Sequence, residues 1–183
     1  AGLGLTAVAL LLGFYLWEHR TKHPMLEFGL YRIRTFAIGN TTALLSFVAM
    51  FFTNVMLPFY MENVLHYSTE RTGYTMMLYP LTMAVVAPIS GWLSDRIGPN
   101  VPTTLGLAIN AAGFALLNTL TANEEAWVVG LHLALFGLGT GLFQSPNNAS
   151  VMGAVPKHQL GTAGGLNALV RNIGMVLGIS LAV

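Results

Sequence analysis

Long apolar stretches, almost free of charge, limit what this 183-residue chain can fold into. The hydrocarbon core of a bilayer is crossed by about 20 apolar residues in an α-helix. None of the stretches alternates apolar and polar residues in short segments, as the strands of a membrane β-barrel do. Helices also satisfy their own backbone hydrogen bonds, which lipid cannot do. The chain is therefore predicted to be an all-α, polytopic membrane protein. Its candidate spans are 36–61, 72–93, 101–120, 126–147 and 161–183, with a shorter sixth over 1–17.

Composition excludes several other classes of protein. Only 8% of the residues are charged and 54% are hydrophobic, whereas soluble domains have about 25% charged residues. Cysteine is absent, which excludes disulfides and cysteine-based metal sites. A net charge of +1 provides no basic surface for nucleic acid. The expected surroundings are the lipid bilayer, with no nucleic acid, metal or cofactor.

Both ends of the chain lie in apolar sequence. Residues 1–17 have neither the basic start nor the cleavage motif of a signal peptide, and the chain begins with Ala1 rather than methionine. The last apolar stretch runs to Val183. We expect a fragment of a longer protein.

The loops between the spans differ in charge. Positively charged loops stay in the cytoplasm, which places 18–35, 94–100 and 154–160 on that side of a cell inner (plasma) membrane. Those loops contain Arg20, Lys22, Arg32, Arg34, Arg96 and Lys157. The opposite side has only Arg71, beside Glu62, Glu70, Glu124 and Glu125.

The connection from Glu18 to Thr35 mixes apolar and charged residues. Such a segment suits the headgroup boundary of the membrane. Alternatively, it is a linker that packs on the helix ends. Neither alternative assigns this connection a catalytic or binding role.

Prolines and glycines are frequent within the spans. Pro58, Pro80, Pro88 and Pro146 predict kinks or local unwinding. Small residues let helices approach closely, as at Gly174 and Gly178 and along Gly137, Gly139 and Gly141. Close packing is one explanation. The other is that smooth, kinked helices rock against each other, as in transporters.

Polar residues inside the spans are the candidates for function. A lipid-facing arginine at a span centre costs about 2.5–3.5 kcal/mol on insertion scales, so Arg171 is expected to face protein or a wet cavity. Ordinary hydrogen bonds between helices explain any single polar residue equally well. As a group, among flexible methionines and phenylalanines, they favour a cavity for amphipathic compounds. The other members are Asn54, Tyr60, Tyr79, Gln144, Asn147, Asn148, Asn167 and Asn172.

The sequence lacks the motifs that are typical of enzymes and metal sites. Gly137, Gly139 and Gly141 do not have the spacing of a dinucleotide-binding motif, and no strand precedes them. His19 and His23 have no third ligand nearby. No nucleophile, base and acid can be grouped from their spacing. The chain is predicted not to be an enzyme.

A glycine-flanked charged pair stands at the cytoplasmic end of span 72–93, where the sequence reads GWLSDRIG. Asp95 and Arg96 can each bond to a neighbouring helix end, because a carboxylate is stabilised at a helix N-terminus and a guanidinium by carbonyls or acids. The pair is therefore a candidate for a breakable latch. The alternative is a simple charged stop to the span.

In this context the sequence resembles the major facilitator superfamily, and most closely its fourteen-span drug–proton antiporter branch. The resemblance covers essentially the whole chain. It rests on Pro24–Asn40 (PMLEFGLYRIRTFAIGN), Leu57–Tyr60 with Tyr67 and Ser68, the Gly91–Gly98 loop, Pro146–Asn148 to Pro156, Gly161 with Gly164, and Arg171 with Gly174.

The resemblance implies a register along the chain. Residues 1–17 correspond to a truncated extra central helix, 18–35 to a cytoplasmic amphipathic linker, and 36–183 to five spans of the C-terminal six-helix bundle, without its last helix. Four spans would line the central cavity and 101–120 would be peripheral. The gating loop would consist of Gly91, Asp95, Arg96 and Gly98. The implied cavity residues are Asn54, Tyr60, Tyr79, Gln144, Asn147, Asn167 and Arg171.

Some positions depart from the family pattern. Pro99 and Asn100 stand where basic residues usually follow the gating loop, and Glu62 replaces a common glutamine at the outer mouth. The acids usually assigned to proton coupling belong to the N-terminal bundle, which would be the chain's main partner. The resemblance implies proton-coupled efflux of small amphipathic drugs or related compounds by alternating access. The alternatives are export of a specific metabolite or siderophore, or a membrane scaffold without transport.

Overall fold

A computed structural model describes residues 28–183 together with Thr6 and Gly13. The rest of the predicted span 1–17, and of the linker up to residue 27, lies outside the described residues. Helices and short turns make up the described part, and no strand occurs in it. The all-α prediction is confirmed.

Six α-helices follow one another along the described chain. Five helical segments are long and apolar enough to cross a membrane: Arg34–Val64, Thr69–Ile97, Asn100–Leu117, Ala126–Gly153 and Lys157–Ala182. Each corresponds to one predicted span. The α-helices within them are α1 (Arg34–Phe59), α2 (Thr69–Met76), α3 (Leu78–Ile97), α4 (Asn100–Leu117), α5 (Ala126–Gly153) and α6 (Leu160–Ala182). Single turns of 3₁₀-helix precede α1 (Phe28–Arg32) and α6 (Lys157–Gln159), and a π-helical turn (Tyr60–Val64) follows α1.

The prolines affect the helices in two ways. After Pro58, α1 widens into the π-helical turn, and the break between α2 and α3 at Met77 comes three residues before Pro80. Helical structure continues through Pro88 and Pro146. Unwinding therefore accompanies Pro58 and Pro80 but not Pro88 or Pro146.

The fifth helix extends further than its apolar stretch indicated. The sequence placed its end at residue 147, because polar residues follow Pro146, but α5 continues to Gly153. The additional turn is held by packing, since Val151 is buried among Leu30, Phe36 and Leu166. Leu30 precedes α1, so this end of the linker packs on helix ends.

The helices form two layers. In one layer α5 lies between α3 and α4, and in the other α1 packs along α6. The layers meet where α1 crosses α5. At this crossing the Nδ2 of Asn147 donates to the carbonyl oxygen of Gly39, 3.1 Å away.

Glycines lie at the closest helix contacts. A Cβ added at Gly106 would lie 2.6 Å from both the Gly139 oxygen and the Phe143 nitrogen, so α4 and α5 touch through their backbones. Gly137 and Gly141 meet α3 in the same way, and Gly174 and Gly178 meet α1. Close packing is thus the structural role of these glycines.

Two tyrosines connect neighbouring loops. The hydroxyl of Tyr60 donates to the Thr121 carbonyl oxygen, and that of Tyr67 to the Glu124 carbonyl oxygen, both over 2.6 Å. These bonds hold the end of α1 and the loop after it against the loop between α4 and α5.

Candidate functional site

Four of the seven predicted cavity residues line one cleft of ≈ 400 Å³ between α1, α3, α5 and α6. They are Gln144, Asn147, Asn167 and Arg171. Ser145 and Asn148 add polar groups, while the walls are apolar. The apolar lining comprises Ala43, Phe47, Met83, Ala87, Phe143 and Ala168, with Gly164 between them.

Helical spacing explains why these side chains meet. Gln144 and Asn148 are four residues apart on α5, and Asn167 and Arg171 are four apart on α6, so each pair occupies one face of its helix. The two faces oppose each other across the cleft. There the Nδ2 of Asn167 donates to the Oδ1 of Asn148 over 2.6 Å. This bond joins α5 and α6, which otherwise touch little.

Arg171 is the charged group of this cleft. Its side chain is exposed in the described part of the chain, where it forms no ion pair. No aspartate or glutamate is among the lining residues. The side chain therefore reaches a polar, open space rather than a carboxylate of the described helices.

Asn54 and Tyr79 lie apart from the cleft. They line a second cavity of ≈ 160 Å³ between α1, α3, α4 and α5. Its polar wall also includes Asn110, whose Nδ2 donates to the Oγ1 of Thr140 over 3.5 Å, and Thr53, whose hydroxyl is buried without a partner in the described residues. The sequence offered a signal for Asn110, an amide within an apolar span. The implied register set that span aside as peripheral.

Tyr60 and Glu62 lie in the π-helical turn that follows α1. The hydroxyl of Tyr60 is engaged with the Thr121 carbonyl, as described above, and Glu62 is exposed in the π-helical turn. Neither lines the cleft or the cavity beside Asn54. Within the described residues, no three histidine or acidic side chains are grouped as a metal site would require.

The Gly91–Gly98 loop forms the C-terminal end of α3. Gly98 ends the helix with a φ of 85°, a conformation that favours glycine. A Cβ at Gly91 would lie 3.2 Å from the Ser145 Oγ, so this glycine faces α5. Arg96 stacks on the Trp92 ring, 4.2 Å from its centroid, and Asp95 is exposed. Among the described residues Asp95 has no ionic partner, so its carboxylate is free to bond elsewhere.

Residues 1–179 match the sequence model of the Major Facilitator Superfamily. The chain belongs to this superfamily. It is 34% identical over 179 residues to the riboflavin transporter RibZ of Clostridioides difficile, a match that covers 96% of this chain and 39% of that protein. It is 36% identical over 158 residues to the uncharacterized transporter YebQ of Escherichia coli, covering 86% and 35%. Over 181 residues it is 29% identical to the multidrug transporter protein MdtP of Bacillus subtilis, covering 98% and 34%.

Membership in the superfamily confirms the predicted resemblance, and the five membrane-length helices are those of a multi-pass membrane protein. The chain spans between a third and two fifths of the length of these relatives. Its helices therefore correspond to one section of each of these relatives.

Proposed function

We propose that the chain is part of a secondary active transporter that exports amphipathic drugs or related compounds from the cytoplasm in exchange for protons. The observation that supports this most is the cleft, in which Gln144 and Asn148 face Asn167 and Arg171 beside an apolar wall. Few polar groups in an apolar recess suit ligands that are partly apolar and partly polar. The proposed location is the cell inner membrane.

The cleft would form one half of the translocation path. It lies at the open edge of the two layers, between α3 and α6, so the remaining helices of the protein can cover it. Alternating access would then come from rocking of this bundle against its counterpart. The tightly packed glycine contacts of α5 keep the bundle rigid during such a movement.

The Gly91–Gly98 loop would close the cytoplasmic side. Asp95 is exposed at the end of α3 and has no ionic partner within the described helices. A carboxylate in that position can bond a helix N-terminus or a cation of the opposite bundle. Breaking this bond would allow the cytoplasmic side to open.

Proton coupling would depend on groups of the other bundle. No acid or histidine is among the described residues that line the cleft. We therefore assign binding to this bundle and proton transfer to its partner.

A second candidate function is export of one specific metabolite. This function is favoured by the sequence identity to a riboflavin transporter, which at 34% is higher than the 29% identity to the multidrug transporter MdtP. Riboflavin would be the first compound to test.

Transport by the full-length protein in everted membrane vesicles tests the proposal. With an imposed proton gradient, we expect a fluorescent amphipathic dye to accumulate in the vesicles, and an uncoupler to abolish the accumulation. Accumulation of riboflavin alone would support the second candidate. If neither compound moves while the protein is correctly inserted, a membrane scaffold without transport becomes the better explanation.

A further inference from the structure

The described lining residues of the cleft carry positive charge and no negative charge. Arg171 is the only ionisable side chain among its described lining residues, and the remaining polar groups are amides and Ser145. The acids of the described chain lie elsewhere. Asp95 is at the end of α3, and the glutamates are in the outer segments around residues 62–70 and 124–125. A ligand in this cleft therefore meets a positive field that no carboxylate of the bundle neutralises.

The hydrogen-bonding groups also favour acceptors on the ligand. The guanidinium of Arg171 has five N–H donors and no acceptor, and no described residue uses them. The Oδ1 of Asn148 already accepts from Asn167, which leaves the amide donors of Asn148 free. The Oε1 of Gln144 is shielded from solvent. Donors thus outnumber the acceptors that a ligand can reach.

The apolar wall completes the site. Phe47, Met83 and Phe143 line the cleft on the side of α1, α3 and α5. Flat or flexible apolar groups can pack on phenylalanine and methionine without a fixed shape. A compound with an apolar body and an oxygen-rich end would satisfy both parts of the cleft.

We propose that the cleft selects amphipathic anions, with a carboxylate or equivalent anionic group on Arg171 and the apolar body against Phe47, Met83 and Phe143. Cationic amphipaths are disfavoured, because no acid among the described lining residues can receive them. The proposal depends on the proposed function in one respect, namely that this cleft holds the transported compound. A guanidinium binds a carboxylate through two parallel hydrogen bonds, which makes Arg171 the residue that determines specificity.

Two dyes with the same xanthene core test this preference. Fluorescein is anionic and rhodamine 123 is cationic, and equilibrium binding of each to the purified full-length protein is measured by fluorescence anisotropy. We expect fluorescein to bind about 10- to 100-fold more tightly than rhodamine 123, as for other hydrogen bonds to charged groups. Arg171→Gln is expected to remove this preference, whereas Arg171→Lys retains part of it because the charge remains.

The matched control is Lys157→Gln, which removes the same charge from an exposed loop residue outside the cleft. It is expected to leave the affinity for both dyes unchanged. Tighter binding of rhodamine 123 by the wild-type protein would overturn the proposal. An equal loss of both dyes in Arg171→Gln and Arg171→Lys would also overturn it, and would indicate that Arg171 pairs with an acid of the opposite bundle.

Efflux of the same dyes separates this inference from the function on which it rests. Anion-selective binding without proton-driven export would contradict the transport proposal and leave the inference intact. Proton-driven export that prefers rhodamine 123 would support the transport proposal and contradict the inference that the cleft selects anions. If Arg171→Gln does not fold, as judged by size-exclusion chromatography, Arg171→Lys and the wild-type dye comparison still decide the outcome.

Discussion

At the scale of single residues, the bond between Asn167 and Asn148 is the most specific contact of the cleft. It spans 2.6 Å and joins two helices that share few other contacts. The four-residue spacing of Asn167 and Arg171 in the sequence places them on one face of a helix. It could not identify the partner on α5, since that depends on how the two helices are rotated about their axes.

Replacing Asn167 by alanine tests the role of this contact. The variant removes the donor to Asn148 and leaves both helices their apolar packing. We expect transport to fall roughly 5-fold, which corresponds to the loss of one hydrogen bond of about 1 kcal/mol. Initial efflux rates, normalised to the amount of inserted protein, measure the effect.

Asn172→Ala is the matched control, because Asn172 is exposed on the same helix and does not line the cleft. Its efflux rate should equal that of the wild type. Equal rates for both variants would show that the bond between Asn148 and Asn167 has no part in transport.

At the scale of elements, the close contact between α4 and α5 depends on glycine, which has no side chain. A Cβ at Gly106 would lie 2.6 Å from two backbone atoms of α5, and backbone cannot move aside as a flexible side chain can. We expect Gly106→Ala to destabilise the bundle by about 1–3 kcal/mol, as overpacked cores do. The melting temperature of the purified full-length protein should fall accordingly.

Gly165→Ala provides the comparison. No atom lies within 4 Å of a Cβ at this position of α6, and alanine favours a helix over glycine by about 1 kcal/mol. This variant should be as stable as the wild type or more so. A melting temperature that falls equally in both variants would contradict the assigned role of Gly106.

The helices also show which features could be predicted from the sequence and which could not. The five spans of residues 28–183, and their order, followed from apolar length, because the bilayer fixes how long a span must be. The end of α5 did not follow, because Val151 is held by tertiary packing against Leu30 and Phe36 rather than by its own apolar stretch. Similarly, polar groups were located along the chain, but their division between the cleft and the cavity beside Asn54 depends on helix packing.

At the scale of the whole molecule, the exposed Asp95 is the proposed contact of this bundle with the rest of the protein. Replacing it by asparagine would keep the size of the side chain and remove its charge. Because the described fold uses no ion pair at Asp95, we expect Asp95→Asn to insert and fold normally. Efflux by the full-length protein should fall about 5-fold or more, as when a coupling between two moving parts is weakened.

The control for this change is Glu70→Gln, which removes an exposed acid from the outer side. It should leave efflux unchanged. Undiminished efflux in Asp95→Asn would exclude the latch and favour the simpler explanation that the pair only ends the span.

Access of water to the cleft is the property on which the proposed transport through this bundle depends. The chain has no cysteine, so single cysteines can be introduced without background from it. Ala168 lines the cleft, Ala163 is fully buried, and Val176 is 58% exposed on the apolar surface of α6. A charged maleimide reacts with a thiolate, which forms in water and not in hydrocarbon. In the full-length protein, with any other cysteine replaced, we expect Ala168→Cys to be labelled far faster than Ala163→Cys or Val176→Cys. A saturating substrate should slow this labelling, because it occupies the same space.

Rapid labelling of Val176→Cys would mean that the exposed face of α6 meets water rather than lipid. An unreactive Ala168→Cys would mean that the cleft is closed to water, and the path of export would have to lie elsewhere.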